Sequence, residues 1–285
     1  MIVIPSLLSG CKNGEASITI NDLNVPTYSS NKKINIGAWS WTVNGVSENQ
    51  FSNLKDAGVN LLIGTFSRDE STNARIIDRA AQYDIGIILD KRPWNLEIPD
   101  YGDKDSFLGY CTFDEPKMSD LPELAAMKNS WDESDLANKL FFVNLNPSYS
   151  SSIGATYEEY VRAYVEDCGL DMVAFDYYPL YKDPEDQENV LIRDDWLYGF
   201  DICAHYASMY DLPLWYTLLT TQHSASSVKY INPTAKDLEY QMYVAMTFGS
   251  TYLIHYTYAA TGPDHINPIV DRKVHRRLDC CYERR

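Results

Sequence analysis

Apolar runs typical of buried β-strands recur eight times along the chain. They begin near residues 34, 59, 85, 106, 139, 171, 212 and 251. Their mean spacing is about 31 residues, close to the thirty or so that one strand, one helix and two loops occupy. Amphipathic segments lie between most of these runs, as at 47–58 and 69–84. The spacing therefore predicts eight successive strand–helix units.

The runs are continuously apolar instead of alternating with polar residues. This pattern is typical of parallel strands that helices cover on both faces of a sheet. No Gly-x-Gly-x-x-Gly follows the first strand, which argues against an open dinucleotide-binding sheet. We predict an α/β fold, a (β/α)8 TIM barrel over residues 34–285, with no clear helix in the loop at 91–105.

The end of the chain departs from the composition of the rest. Residues 272–285 contain five of the eleven Arg, together with Cys280 and Cys281, where the eighth helix is expected. Two interpretations stay open: the eighth helix is truncated or altered, or it is a basic last helix.

The first residues suggest an anchored protein. Residues 2–9 are apolar or small and lead into Leu-Ser-Gly-Cys at 8–11, which resembles the lipobox of bacterial lipoproteins. The stretch is too short to span a bilayer and lacks the basic region of a signal peptide, so a chance match is the alternative. We expect residues 1–33 to be a signal and tether, with lipidation at Cys11 and a location outside the cytoplasm, at the cell surface or in the periplasm.

Charge and cysteine content exclude several classes of function. A net charge of −16 would repel a phosphate backbone, so we expect no nucleic-acid partner. The six Cys form no Cys-x-x-Cys pair, and no His lies beside them at metal-ligand spacing. We therefore expect no zinc site, no disulfide framework and no cofactor, and we assign Cys111, Cys168 and Cys203 to the core.

The active site of such a barrel lies at the C-terminal ends of its strands. The candidates there are acids, amides and aromatic residues: Trp39, Trp41, Asp90, Trp94, Asp114, Glu115, Asn144, Asp176, Tyr178, Gln222 and Tyr256. Aromatic rings with polar tips suit the apolar faces and hydroxyl rim of a sugar. These residues predict a carbohydrate site, although the three Trp are equally suited to plugging the barrel.

Two carboxyl groups usually flank the bond that a glycosidase cleaves. Glu115 is the candidate acid, because the neighbouring Asp114 disfavours its charged form. Asp176, beside two Tyr, is expected to stay ionised as the second carboxylate. The structural alternatives are that Asp114 caps a helix with Pro116 in its first turn, and that Asp176 only begins a loop.

Three short motifs carry a family resemblance. Phe-Asp-Glu-Pro at 113–116 resembles the Asn-Glu-Pro signature of retaining barrel glycosidases, in which the Glu is the acid/base. With Phe-Val-Asn-Leu-Asn-Pro at 142–147 and Phe-Asp-Tyr-Tyr-Pro at 175–179, the chain is similar to bacterial, often lipid-anchored, glycoside hydrolase-like barrels over residues 34–270. The resemblance implies hydrolysis of O-glycosyl bonds in an extracellular oligo- or polysaccharide, with Glu115 as general acid/base.

The chain also departs from that family. Asp114 replaces the usual Asn, and Gln222 lies where the nucleophilic Glu of strand seven is expected. Either Asp176 or Asp114 then supplies the second carboxylate, or the protein is a non-catalytic, lipid-anchored glycan-binding barrel. A barrel lyase or aldolase is a third hypothesis, for which Lys91 is the nearby Lys.

Overall fold

The computed structural model describes residues 34–40, 48–64, 69–90, 101, 103–225 and 227–259. Its strands are β1 (Asn35–Ser40), β2 (Leu61–Gly64), β3 (Gly86–Asp90), β4 (Phe107–Asp114), β5 (Leu140–Asn144), β6 (Val173–Asp176), β7 (Leu180–Lys182), β8 (Val190–Ile192), β9 (Leu214–Leu219), β10 (Ser224–Ala225), β11 (Val228–Lys229) and β12 (Ser250–Ala259). Its helices are α1 (Glu48–Asp56), α2 (Glu70–Ala81), α3 (Leu121–Asp132), α4 (Tyr157–Glu166), α5 (Trp196–Met209) and α6 (Ala235–Thr247).

Eight of the strands form one parallel sheet that curls into a barrel. Its hydrogen-bonded order is β5-β4-β3-β2-β1-β12-β9-β6. The two outer strands also meet, since Leu145 pairs with Phe175 and its N–H donates to the carbonyl of Ala174 at 2.8 Å. The predicted (β/α)8 TIM barrel is confirmed, and each strand begins within about two residues of its predicted start.

Local signals in the sequence explain where the helices begin. Thr156 and Thr234 each form a capping box, with Glu159 and Asp237 respectively, and Asp69 accepts a hydrogen bond from the N–H of Thr72. A 3₁₀ turn at Met118–Asp120 precedes α3, and Pro122 lies in the first turn of α3, where its missing N–H costs no helical hydrogen bond.

Two apolar layers hold the barrel together. The inner layer takes at least one residue from every barrel strand: Trp39, Leu61, Ile63, Ile88, Cys111, Phe142, Ala174, Trp215 and Ile254. The outer layer lies between strands and helices and includes Phe51, Ile77, Leu124, Tyr160, Phe200 and Leu238, one from each described helix. Cys111, Cys168 and Cys203 are buried, as expected.

Two hairpins that the sequence did not predict lie past the strand ends. The segment between β6 and α5 contains the antiparallel pair β7–β8, and β10–β11 follows β9. A bridge between Tyr181 and Tyr230 joins the two hairpins. They extend the barrel at the rim where the candidate site lies.

A glutamine on α6 fixes the end of β9. Gln241 is fully buried, accepts from the N–H of Leu219 at 2.9 Å and donates to its carbonyl at 3.1 Å. We expect Gln241→Leu to lower the free energy of unfolding by about 1–3 kcal/mol, because both backbone groups lose their partner. Urea unfolding measures this change. Lys236→Gln, at an exposed position of the same helix, is the control and should leave stability unchanged.

Several expectations lie outside the described residues. They concern the 1–33 tether with Cys11, the last helix over 272–285, and the side chains of Trp41, Lys91 and Trp94. Among the helices that the structure describes, none is long and apolar enough to cross a membrane.

Candidate active site

The ends of β4, β5 and β6 bring two acids onto one amide. Asp114 is paired in register with Asn144, and Asp176 ends the next strand round the barrel. The Asn144 Nδ2 donates to Oδ1 of Asp114 at 2.9 Å and to Oδ1 of Asp176 at 3.0 Å. The two carboxyl oxygens therefore lie within about 6 Å of each other, on either side of one shared donor.

Asn144 retains an unused acceptor at this point. Its side chain is buried, and Oδ1 has no hydrogen-bond partner among the described residues. A buried polar atom of this kind is ordinarily satisfied by water or by a ligand. A sugar hydroxyl would satisfy it, which is consistent with the predicted role of Asn144 in substrate binding.

Asp176 is the acid with the most perturbed environment. It is 4% exposed, and its burial raises the pKa of the carboxyl well above the usual range. The negative charges of Glu115 and Asp114 raise that pKa further, and the hydrogen bond from Asn144 opposes them. The surroundings of Asp176 therefore favour its protonated form, which runs against the expectation that it stays ionised.

Glu115 lies in a contrasting environment beside it. Its side chain is exposed, and its backbone N–H donates to the carbonyl of Asn144 at 2.7 Å. Its φ is +51°, a left-handed conformation that costs a non-glycine residue on the order of 1 kcal/mol. Strain of this kind is concentrated at functional sites, where it holds a side chain in a required position. Here it places the Glu115 charge close enough to perturb Asp176.

Asp114 does not cap a helix. It is the last residue of β4, and the following 3₁₀ turn begins only at Met118. The capping alternative is therefore excluded, because the carboxylate of Asp114 is directed to the amide of Asn144.

An aromatic wall borders the carboxyl groups. We define it as Tyr149, Tyr178, His223, Tyr230 and Tyr256. The Tyr178 ring lies 5.1 Å from His223, 5.4 Å from Tyr230 and 5.5 Å from Tyr256, measured between centroids. Burial, and next the charge of Asp176, raise the pKa values of Tyr149 and Tyr178. Tyr149 and Tyr178 therefore lie near Asp176, and their raised pKa values keep these two phenols protonated as hydrogen-bond donors.

The other predicted rim residues have different positions. Trp39 is 3% exposed and contacts Phe142 edge-on inside the barrel, so the predicted sugar platform is wrong and the ring is a plug. Asp90 is buried at the end of β3. Gln222 is exposed, three residues past the end of β9. The substrate-binding roles of Asp90, Gln222, Tyr178 and Tyr256 stay predictions.

Four residues of this site were not predicted from the sequence. His223 lies between β9 and β10. Tyr149 lies in the loop after β5, Tyr230 follows β11, and Arg193 follows β8. A signal existed for Arg193, since the acidic turn-forming run at 183–189 between short apolar segments is typical of a hairpin. No comparable pattern marks Tyr149 or Tyr230 within a chain that has 22 Tyr.

The amide between the acids should be sensitive to charge. We expect Asn144→Asp to lower the free energy of unfolding by about 2–4 kcal/mol at pH 7, because a carboxylate would replace the shared donor. The loss should shrink as pH falls and the acids are protonated. Denaturant unfolding at pH 4 and pH 7 measures it. Asn129→Asp, the same change at an exposed site, should show neither effect.

No group of three or more His, Cys, Asp or Glu with the geometry of a metal site occurs among the described residues. The expected absence of a cofactor remains a prediction.

Comparison with known proteins shows the fold. No family model matches the sequence, and no curated protein matches it significantly. A proposed alpha-L-fucosidase from Bacteroides thetaiotaomicron superposes with a TM-score of 0.60 at 12% identity, covering 90% of this chain and 97% of its own. A truncated 3-deoxy-D-arabino-heptulosonate 7-phosphate synthase from Thermotoga maritima has a TM-score of 0.49 at 13% identity, covering 89% and 88%. At 12% identity, the similarity to the Bacteroides protein shows the barrel fold and not its chemistry.

Proposed function

We propose that the protein is a glycoside hydrolase that cleaves O-glycosyl bonds of an oligo- or polysaccharide, with Glu115 and Asp176 as its two carboxyl groups. The observation that carries the proposal is the contrast between these acids at one barrel rim. Asp176 is buried and favours its protonated form, whereas Glu115 is exposed. Pairs of acids whose environments separate their proton affinities are typical of acid–base catalysis.

The contrast assigns a role to each group. Asp176 donates its proton to the leaving oxygen, directly or through one water. Glu115 acts as the carboxylate, either attacking the anomeric carbon or removing a proton from the water that does so. This reverses the roles that the motif resemblance implied, since there Glu115 is the acid/base. Asp114 and Asn144 orient Asp176 and bind sugar hydroxyls.

The aromatic wall supports a sugar as the substrate. Tyr256 is partly exposed, and its ring face and hydroxyl group suit a pyranose. Tyr178 is buried and supports the Tyr256 ring from 5.5 Å, measured between centroids. The Bacteroides neighbour, a proposed alpha-L-fucosidase, makes α-L-fucosides one class to test. A lipid anchor at Cys11, with a location outside the cytoplasm, remains part of the proposal and would give access to extracellular glycans.

The proposal is tested by incubating the wild-type protein with a panel of glycans that includes α-L-fucosides. Reducing-sugar release that increases with protein concentration supports hydrolysis. Saturable binding of a glycan without release would overturn it in favour of the glycan-binding barrel.

A further inference from the structure

Arg193 is held against the aromatic wall by two aromatic rings and the backbone. Its Cζ lies 3.8 Å from the ring centroid of Tyr149 and 5.1 Å from that of Tyr181. Its backbone N–H donates to the carbonyl of Pro179 at 2.9 Å, which ties the end of β8 to the start of β7. The guanidinium also forms a hydrogen bond with the Tyr230 hydroxyl. Stacking of this kind fixes the plane of a guanidinium and leaves its N–H edge available.

No carboxylate among the described residues forms an ion pair with this cation. The nearby carboxylate of Asp195 is already occupied, since Ser148 donates to it at 2.7 Å and Tyr177 donates to its other oxygen. The Nε of Arg193 is buried and has no hydrogen-bond partner among the residues that the structure describes. The side chain nevertheless remains partly exposed. A half-buried guanidinium with unused donors is costly unless an anion completes it.

The Tyr149 side chain connects Arg193 to the acids. The Arg193 guanidinium lies over the ring of Tyr149, and the Tyr149 hydroxyl lies 3.1 Å from the Tyr230 hydroxyl. The same phenol is near enough to Asp176 to sense its charge. Tyr149 therefore links the acids to Arg193, whose guanidinium lies 3.8 Å from the centroid of its ring.

We propose that Arg193 binds an acidic substituent of the substrate, the carboxylate of a uronate or a sulfate ester, on a sugar at or next to the bond that is cleaved. Arginine suits both groups, because its planar fork matches two oxygens of a carboxylate or sulfate. A fixed cation also offsets the repulsion that a chain of net charge −16 exerts on an anionic glycan. This inference rests on the proposed carbohydrate site, although binding alone can test it.

The test measures binding by calorimetry in the Glu115→Gln background, where hydrolysis cannot consume the ligand. The probes are oligosaccharides containing glucuronate, galacturonate, mannuronate or sulfated galactose. Each is paired with its neutral counterpart, prepared by carboxyl reduction or desulfation. Arg193→Gln is compared with Arg162→Gln, which removes one positive charge from an exposed position of α4. Arg193→Lys keeps the charge without the fork, and thermal unfolding confirms that each variant is folded.

We expect at least one acidic probe to bind more tightly than its neutral counterpart. Arg193→Gln should weaken that binding roughly 10- to 100-fold, the range for a charged hydrogen bond. Arg193→Lys should be intermediate, and Arg162→Gln should have no effect. Comparison of the uronate probes with the sulfated probe identifies which acidic group Arg193 binds. The inference would be overturned if no acidic probe bound, or if each neutral counterpart bound as tightly as its acidic probe. It would also be overturned if Arg162→Gln weakened binding as much as Arg193→Gln does. Binding of an acidic probe to the Glu115→Gln protein, with no hydrolysis of the same probe by the wild type, would overturn only the proposed function.

Discussion

Replacing Asp176 with Asn is expected to lower kcat/KM by about 10²- to 10⁴-fold, the usual contribution of a positioned acid or base. Asn has the shape of a protonated Asp and can still accept the hydrogen bond from Asn144, but it has no proton to donate. In the wild type, activity should fall as pH rises through the raised pKa of Asp176, because the acid form is lost. Initial rates on a responsive glycan measure both effects.

The same substitution should stabilise the folded protein at neutral pH. Because burial raises the pKa of Asp176, the folded chain holds this proton at pH values where the unfolded chain, with an ordinary pKa of about 4, has lost it. Wild-type stability therefore falls as pH rises from about 4 towards the folded-state pKa and stays reduced above it. The amide introduced by Asp176→Asn cannot ionise, so the variant escapes this loss.

Melting temperatures of both proteins between acidic and neutral pH test this expectation. The two should be similar near pH 4 and diverge in favour of Asp176→Asn at higher pH. Asp135→Asn, at an exposed position, is the matched control and should follow the wild type. If Asp176→Asn were less stable than the wild type at neutral pH, ionisation of Asp176 would not be destabilising the folded protein.

Replacing Glu115 with Gln is expected to lower kcat/KM by a similar factor of about 10²–10⁴. The neutral amide can neither attack the anomeric carbon nor remove a proton from water. It should also weaken the pH dependence of stability, because the Glu115 charge contributes to the raised pKa of Asp176. Rates and melting temperatures measure the two effects together. Glu123→Gln, exposed on α3, is the control.

A second substitution separates catalysis from backbone strain at this position. Glycine adopts a φ of +51° without steric cost, so Glu115→Gly should raise stability by up to about 1 kcal/mol while activity is lost. Full activity in Glu115→Gln would remove Glu115 from the mechanism. A loss of stability in Glu115→Gly would argue that the side chain itself holds the rim together.

The barrel could be predicted because its signal is local and repeated. Each strand is a continuous apolar run, and residues such as Thr156, Thr234 and Asp69 mark helix starts by side-chain hydrogen bonds within three residues. The position of Asp114, Asn144 and Asp176 at one rim follows from the same regularity, since all barrel strands run parallel.

The properties that depend on several elements at once could not be predicted. Whether Asp176 is charged depends on its burial and on two acids from another strand. Trp39 and Trp215 both belong to the interior cluster, and nothing local distinguishes such plugs from exposed platforms. The partners of Arg193 come from three segments distant in sequence: Tyr149 from the loop after β5, Tyr181 from β7 and Tyr230 from the residue after β11.

The most direct measurement is mass spectrometry of the products that the wild type forms from a glycan of known mass. A Glu115→Gln/Asp176→Asn double variant, purified in parallel, controls for contaminating enzymes. We expect the wild type to form two fragments whose masses sum to the mass of the glycan plus one water. The double variant should form neither fragment. Fragments without the added water, which indicate elimination, or equal cleavage by the double variant, would contradict this expectation.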